Sequence, residues 1–393
     1  MHLHKLLLGF AFLISTIYIF GQEGKGIYLN TSEHSVFSEW VYKEMHYTVS
    51  LPPSYENSTT SSYPVIFLLE SDYHLHYTST TVEVMSKEGQ IPEMIIVGIP
   101  VYDSKKKYFI EDETLSEIDL KIRDNIRMND KKFFKFLEKE LLPEINKNFR
   151  TKKYNLLVGN ISDGLLVTEA YLNNSIFNSY IAINSGFWKE DLSTINRIDT
   201  TLTNAIKKKR FYFSGFDNVK SAKNTEVDIR NNQEYLYSLL KNKGIPYSNL
   251  KFQVFGEESN ESISLISLYH GLRFIFEDYV LPMSADITID VVVNHYDTLS
   301  ENLGVSFLPP ENVVNMIAWT KFNGNERKEA YKLFNLNIRN YPLSHTAYEM
   351  QGYAYNNEGK YKEAIISFEK SLKVNANNNE RIVKLIEDLK TKK

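Results

Sequence analysis

Not one cysteine occurs in the 393 residues. That excludes disulfides, thiolate-held metals and lipid attachment through a cysteine, so the fold must hold without covalent staples. An excess of one charge is lacking too. The 45 Lys and Arg stand against 49 Asp and Glu, leaving −4, which argues against a general polyanion binder. The longest basic run, Lys207–Arg210, precedes an apolar segment and reads as a solvated strand entrance. No nucleic-acid partner is expected. Long apolar runs are scarce as well. Leu6–Phe20 is shorter than the ~20 residues that span a bilayer comfortably. With His2, His4 and Lys5 before it and Gly21-Gln22 after it, it predicts a signal peptide over residues 1–22. The expected product is an exported chain, periplasmic or secreted, with no membrane attachment after cleavage.

What is present is aromatic and patterned. The chain holds 26 Tyr and 23 Phe and is 42% hydrophobic and 24% charged, a balance that suits a globular protein with a large core. Seven short runs rich in β-branched and aromatic residues predict strands: Tyr47–Pro52, Tyr63–Leu69, Met94–Ile99, Tyr154–Val158, Tyr180–Asn184, Phe211–Gly215 and Lys251–Phe255. Several are too apolar to have a wet face, as in a sheet covered on both sides. Helical spacing recurs between them, at Phe133–Leu141 and again at Asn231–Lys243, which Gly244 and Pro246 stop. The alternation predicts an α/β domain of three layers with a mainly parallel sheet over residues 24–283.

After Met283 the character changes. Residues 284–310 are expected as a connector closing on Pro309-Pro310. Ala330 and Phe334, followed by Pro342, then recur 34 residues on as Ala364 and Phe368, followed by Ala376. With Tyr348, Gly352 and Tyr355, this spacing resembles a tetratricopeptide repeat over residues 311–393, ending in a tail helix at Asn379–Lys390. Small Ala and Gly positions let paired helices approach, and Phe and Tyr fill the groove between them. So few repeats are expected to dock on the α/β domain. A plain helical cap and a groove for a protein or peptide partner are equal readings.

Several segments together carry a resemblance: Leu51-Pro-Pro-Ser-Tyr55, Tyr63–Leu69, Ile91–Ile99, Leu265-Ile-Ser-Leu-Tyr269 through Phe274, and His295-Tyr-x-x-Leu-Ser300. They resemble the esterase-D and enterochelin-esterase-like branch of the α/β-hydrolases, tetratricopeptide tail included. The resemblance covers nearly all of the chain after residue 22. It implies an α/β-hydrolase fold in which a serine on a strained strand-to-helix turn is served by a histidine and a carboxylate, in the order Ser, acid, His.

Active members resemble G-H-S-x-G-G at the turn. Laid on without gaps, Gly159 is the first glycine, Asn160 replaces the histidine, and Ile161 replaces the serine. Ser162 takes the variable position, Asp163 a glycine's, and Gly164 is the last glycine. Isoleucine has no nucleophilic atom, and its β-branch suits a strained turn poorly. Sliding the frame by one makes Ser162 the nucleophile, but then Asn160 stands where a tiny side chain is wanted. A one-residue slip would also turn Ser162 to the opposite face of its strand. An ordinary place for Ser162 and Asp163 is the start of the following helix.

Related sequences carry the histidine in a stretch like E-x-H-G-S-V, and here its place falls on Asn260. The nearest alternative, His270, lies inside an apparent helix, Leu265–Phe276. Asp217 falls roughly at the family's carboxylate loop, though in Gly215-Phe-Asp-Asn218 it also reads as a turn aspartate. The segment Glu70-Ser-Asp-Tyr-His74 matches a family stretch like L-D-G-x-x-H-F beside the oxyanion hole, with Ser71 in place of a glycine. Asp72, His74 and His76 lack a further ligand for zinc, and Glu111-Asp-Glu113 lacks a calcium loop's spacing. No metal and no cofactor are expected. Two readings remain. One is a non-catalytic binding or scaffolding module with a small molecule in a vestigial pocket. The other is a carboxylic-ester hydrolase, implied by resemblance to act on siderophore, thioester or carbohydrate esters, using Ser162, Asp217 and His270.

Overall fold

The computed structural model describes residues 30–56, 61–100, 131–173, 176–185, 204–216, 224–259, 262–284, 286–374 and 380–392. The expected signal peptide, Glu111–Glu113, Asp217 and Asn260 lie outside these residues.

Eight strands form one sheet: β1 (Thr31–Ser38), β2 (Lys43–Ser50), β3 (Tyr63–Leu69), β4 (Ile95–Ile99), β5 (Thr151–Asn160), β6 (Ser179–Ile183), β7 (Arg210–Phe216) and β8 (Leu250–Phe255). Their order is β1-β2-β4-β3-β5-β6-β7-β8. β2 runs antiparallel to both β1 and β4, and the remaining neighbours are parallel. The seven predicted segments each fall on one of β2 to β8. β1 was not among them. It is an edge strand with mostly exposed side chains, so no apolar stripe marks it.

Neighbouring residues on a strand point to opposite faces, and both faces are covered. Val65, Phe67, Leu157, Phe211 and Phe213 enter one core, with Phe136 and Leu141 from α2 (131–148) and Val167 and Tyr171 from α3 (Ile161–Leu172). α2 carries a π-helical turn at Leu137–Leu141. A short helix, α4 (Asn204–Lys207), and the longer α5 (Asn224–Asn242) complete that layer, with Ile206, Leu236 and Leu240 buried. Ile66, Leu68, Leu156, Val158 and Ile181 enter the opposite core with Val82 and Met85 from α1 (Ser71–Lys87) and Leu268 and Leu272 from α6 (Ile263–Ile275). This is the fold of the α/β-hydrolases: three layers around a mainly parallel sheet.

The stretch 284–310 is more than a connector. It contains α7 (Ile289–Leu303), capped by the Thr288 hydroxyl and closed by Gly304 in the left-handed conformation. All-helical structure follows: α8 (Glu311–Asn323), α9 (Arg327–Asn340), α10 (His345–Asn357), α11 (Tyr361–Val374) and α12 (Glu380–Thr391). Val314, Ile317, Phe322 and Phe334 join the same core as β3 and β5, so the first helical pair is welded to the α/β domain. Side chains tie the junction from both directions. Lys152 Nζ donates to the Ser306 carbonyl, and Asn312 Nδ2 donates to that of Lys87. The last three helices keep a cluster of their own around Ala364, Phe368, Ile382 and Ile386.

Candidate functional site

β5 runs without a break into α3, and the chain turns sharply between Asn160 and Ile161. Ile161 has φ 45°, in the left-handed region that L side chains avoid. For a β-branched residue such a backbone costs about 1–3 kcal/mol and persists only where its surroundings impose it. The imposing contacts are visible. A Cβ added to Gly159 would meet the Asp163 carbonyl oxygen at 2.6 Å, and one on Gly164 would meet the Ser185 hydroxyl at 2.9 Å. Strand and helix therefore cross too closely for any side chain at 159. Ile161 at the apex is 37% exposed, so its branch faces outward.

Ser162 lies one residue inside α3, and Asp163 follows it, buried, in the helix's first turn. Asn160, by contrast, is 1% exposed, and neither its amide nitrogen nor its oxygen has a hydrogen-bond partner. Such an orphaned group is expensive and so marks a place of interest.

Two side chains from other helices, α1 and α6, meet beside this amide. Tyr77, on α1, is brought against both Asn160 and Ser264, the latter at the start of α6. Burial pushes the Tyr77 hydroxyl up to about 12. Ser264 and Asn160 pull it the other way, and the charge of Glu70 adds to the rise. Because the Asn160 amide completes no hydrogen bond, its approach to Tyr77 is a facing contact rather than a bond. Glu70 is also in the left-handed conformation, at φ 52°. Its carboxylate lies 3.6 Å from His74 Nε2, and the His74 ring packs edge-on to Tyr77 with centroids 5.5 Å apart. Glu70, His74 and Tyr77 thus form one wall leading to the bend. Ser71 is buried beneath that wall against Gly98, whose added Cβ would sit 2.7 Å from that of Ser71. Asp72 is exposed in the first turn of α1, where the helix dipole favours an acid.

His270 belongs elsewhere. Its ring packs against Phe255, at 5.5 Å between centroids, and against Tyr269. Six residues separate it from Ser264, about 9 Å along a helix rising ~1.5 Å per residue. Burial lowers its pKa, and the nearby charges of Lys251 and Arg273 lower it further. Among the described residues, no group of three or more His, Asp or Glu is gathered for a metal ion.

The sequence pointed to Ile161 and Asn160 through their distance from two glycines. It gave no sign of Tyr77 or Ser264, because only the fold brings α1 and α6 to the end of β5. The His74–Tyr77 spacing of three residues on one helix face was the available signal.

Residues 38–203 match the family described as "Putative esterase", and residues 345–378 match a tetratricopeptide repeat. No curated protein matches the chain. Among solved structures it is similar to an IroE-like serine hydrolase from Shewanella oneidensis, at 22% identity and a TM-score of 0.63, over 79% of this chain and 99% of that one. An uncharacterised protein from Capnocytophaga ochracea is similar at 16% identity and TM-score 0.56, over 92% and 99%. The siderophore hydrolase EstA from Aspergillus nidulans is similar at 16% and 0.51, over 67% and 99%. At these identities the likeness is one of fold. The chain joins a segment that matches that esterase family model to one that matches a tetratricopeptide repeat.

Proposed function

We propose that this protein is a non-catalytic binding module built on an esterase-like α/β-hydrolase fold. The observation that carries the reading is Ile161 at φ 45°, a side chain without a nucleophilic atom at the apex of the strand-to-helix turn. In serine hydrolases stripped of their triad, oxyanion donors and binding alone leave only ~10³–10⁴-fold acceleration over water. Here the wall beside the turn is altered as well, with Ser71 packed where the family pattern has a glycine. The orphaned, buried amide of Asn160 supports a retained pocket, since a polar group held unpaired in the folded chain is a standing invitation to a ligand.

The neighbouring siderophore hydrolase names the class of compound to screen first. Export rests on Lys5 and the apolar run Leu6–Phe20. A protein or peptide partner at the helical repeats is a further part of the proposal, since stacked helix pairs offer a groove.

Turnover of p-nitrophenyl acetate and butyrate by the purified protein tests the reading. The expected rate equals that of a Ser162→Ala variant and of buffer with an inert protein. Burst kinetics or saturable turnover abolished by Ser162→Ala would contradict it.

A further inference from the structure

A cavity lies away from the bend. It opens on the α1 side of the sheet, where β2 ends and β4 begins, and its volume is about 280 Å³. Val65 of β3 pairs with both Ile95 and Asn155. The mouth of β4 is therefore level with a point five residues before Asn160, about 16 Å along a strand at ~3.3 Å per residue. The two places share no side chain.

Leu51, Val82, Met94 and Ile96 give the cavity an apolar wall, and the last three of these are almost wholly buried. Ser50 and Ser79 add hydroxyls, 3.3 Å apart. Two carboxylates, Glu83 and Glu93, also line it beside Asn30 and Ser86, and none of the lining residues is a lysine, arginine or histidine. Lys87, which pairs with Glu83, lies outside the lining with its side chain 63% exposed. Glu93 is fixed in place. The Ser54 N–H donates to one of its oxygens at 3.3 Å, the Ser54 hydroxyl donates to the other, and that hydroxyl also meets Tyr63 at 2.8 Å. Burial raises the Glu93 carboxyl above its ordinary range, the behaviour of an acid with too little compensation around it.

We propose that this cavity binds a small primary ammonium ion carried on a short apolar chain. An ammonium has three donors and no acceptor. Glu93, Glu83 and the serine hydroxyls are acceptors placed around one space, while Leu51, Val82, Met94 and Ile96 receive the chain. The volume of about 280 Å³ suits a small molecule rather than a peptide. This site stands independently of the reading of the bend.

The test is titration of the full-length protein, labelled at its methionine methyl groups, with n-butylammonium, n-butanol and butyrate in turn. The expected result is a saturable shift of the Met94 methyl with butylammonium, at least ten times weaker with butanol and absent with butyrate. Glu93→Gln should weaken butylammonium at least ten-fold, whereas Glu380→Gln on α12 leaves it unchanged. Should Glu93→Gln fold poorly, Glu83→Gln at its partly exposed helical position is expected to weaken binding about three-fold. Equal binding of butanol and butylammonium would overturn the proposal, as would no saturable shift or no effect of either carboxylate variant.

Discussion

Ile161 and Asn160 are adjacent and strained in different ways, one by its backbone and one by a buried amide with no partner. An unpaired buried polar group costs about 1–3 kcal/mol, and an apolar side chain of similar shape removes that cost. Asn160→Leu is therefore expected to stabilise the protein by about 1–2 kcal/mol in urea unfolding, while weakening any ligand held at the bend. Lower stability would mean that the amide is satisfied after all. Gly159→Ala should do the opposite, because its Cβ would press on backbone that cannot swing away. A loss of about 2–3 kcal/mol is expected from such overpacking. At this scale the bend was legible, since glycines at 159 and 164 bracket it in the chain. The wall of Glu70, His74, Tyr77 and Ser264 was not, because contacts between distant segments leave no local pattern.

Elements differ in how plainly the sequence announced them. β3, β4 and β6 are buried on both faces and were readable from their apolar runs. β1 was not, since a polar edge strand is defined by the partner it finds rather than by its own alternation. α7 was hidden in an expected connector, although Thr288 and Gly304 cap it at both ends. The repeat helices were readable from their small residues. A Cβ at Gly352 would lie 2.7 Å from the Phe368 ring, so α10 and α11 touch through this glycine. Gly352→Ala is expected to cost about 1–3 kcal/mol. Combining it with Phe368→Leu should cost less than the two changes summed, because both act on one contact. Strict additivity in that double-mutant cycle would show that the helices are not packed this way.

For the molecule as a whole, the junction between sheet and tail matters most. Val314, Ile317 and Phe334 share a core with β3 and β5, so the tail and the α/β domain should unfold together. Two carboxyls near that junction are pushed up by burial: Glu93, before β4, and Glu311, which opens α8 and accepts from the Ser344 hydroxyl at 2.7 Å. The charge of Glu93 adds to the rise at Glu311. The folded chain therefore keeps protons that the unfolded chain releases above the ordinary value of 4.5. Stability from these groups is present below about pH 4.5 and is lost as pH rises through their raised values. A Glu93→Gln, Glu311→Gln double variant should lose less stability than the parent over that rise. An identical pH profile would remove these groups from the account.

The central claim concerns the apex at Ile161, and covalent labelling tests it most directly. Incubation of the intact protein with a fluorophosphonate, read by whole-protein mass, is expected to give no adduct over hours. A stoichiometric adduct on Ser162, absent in Ser162→Ala, would mean that a nucleophile does work at this turn.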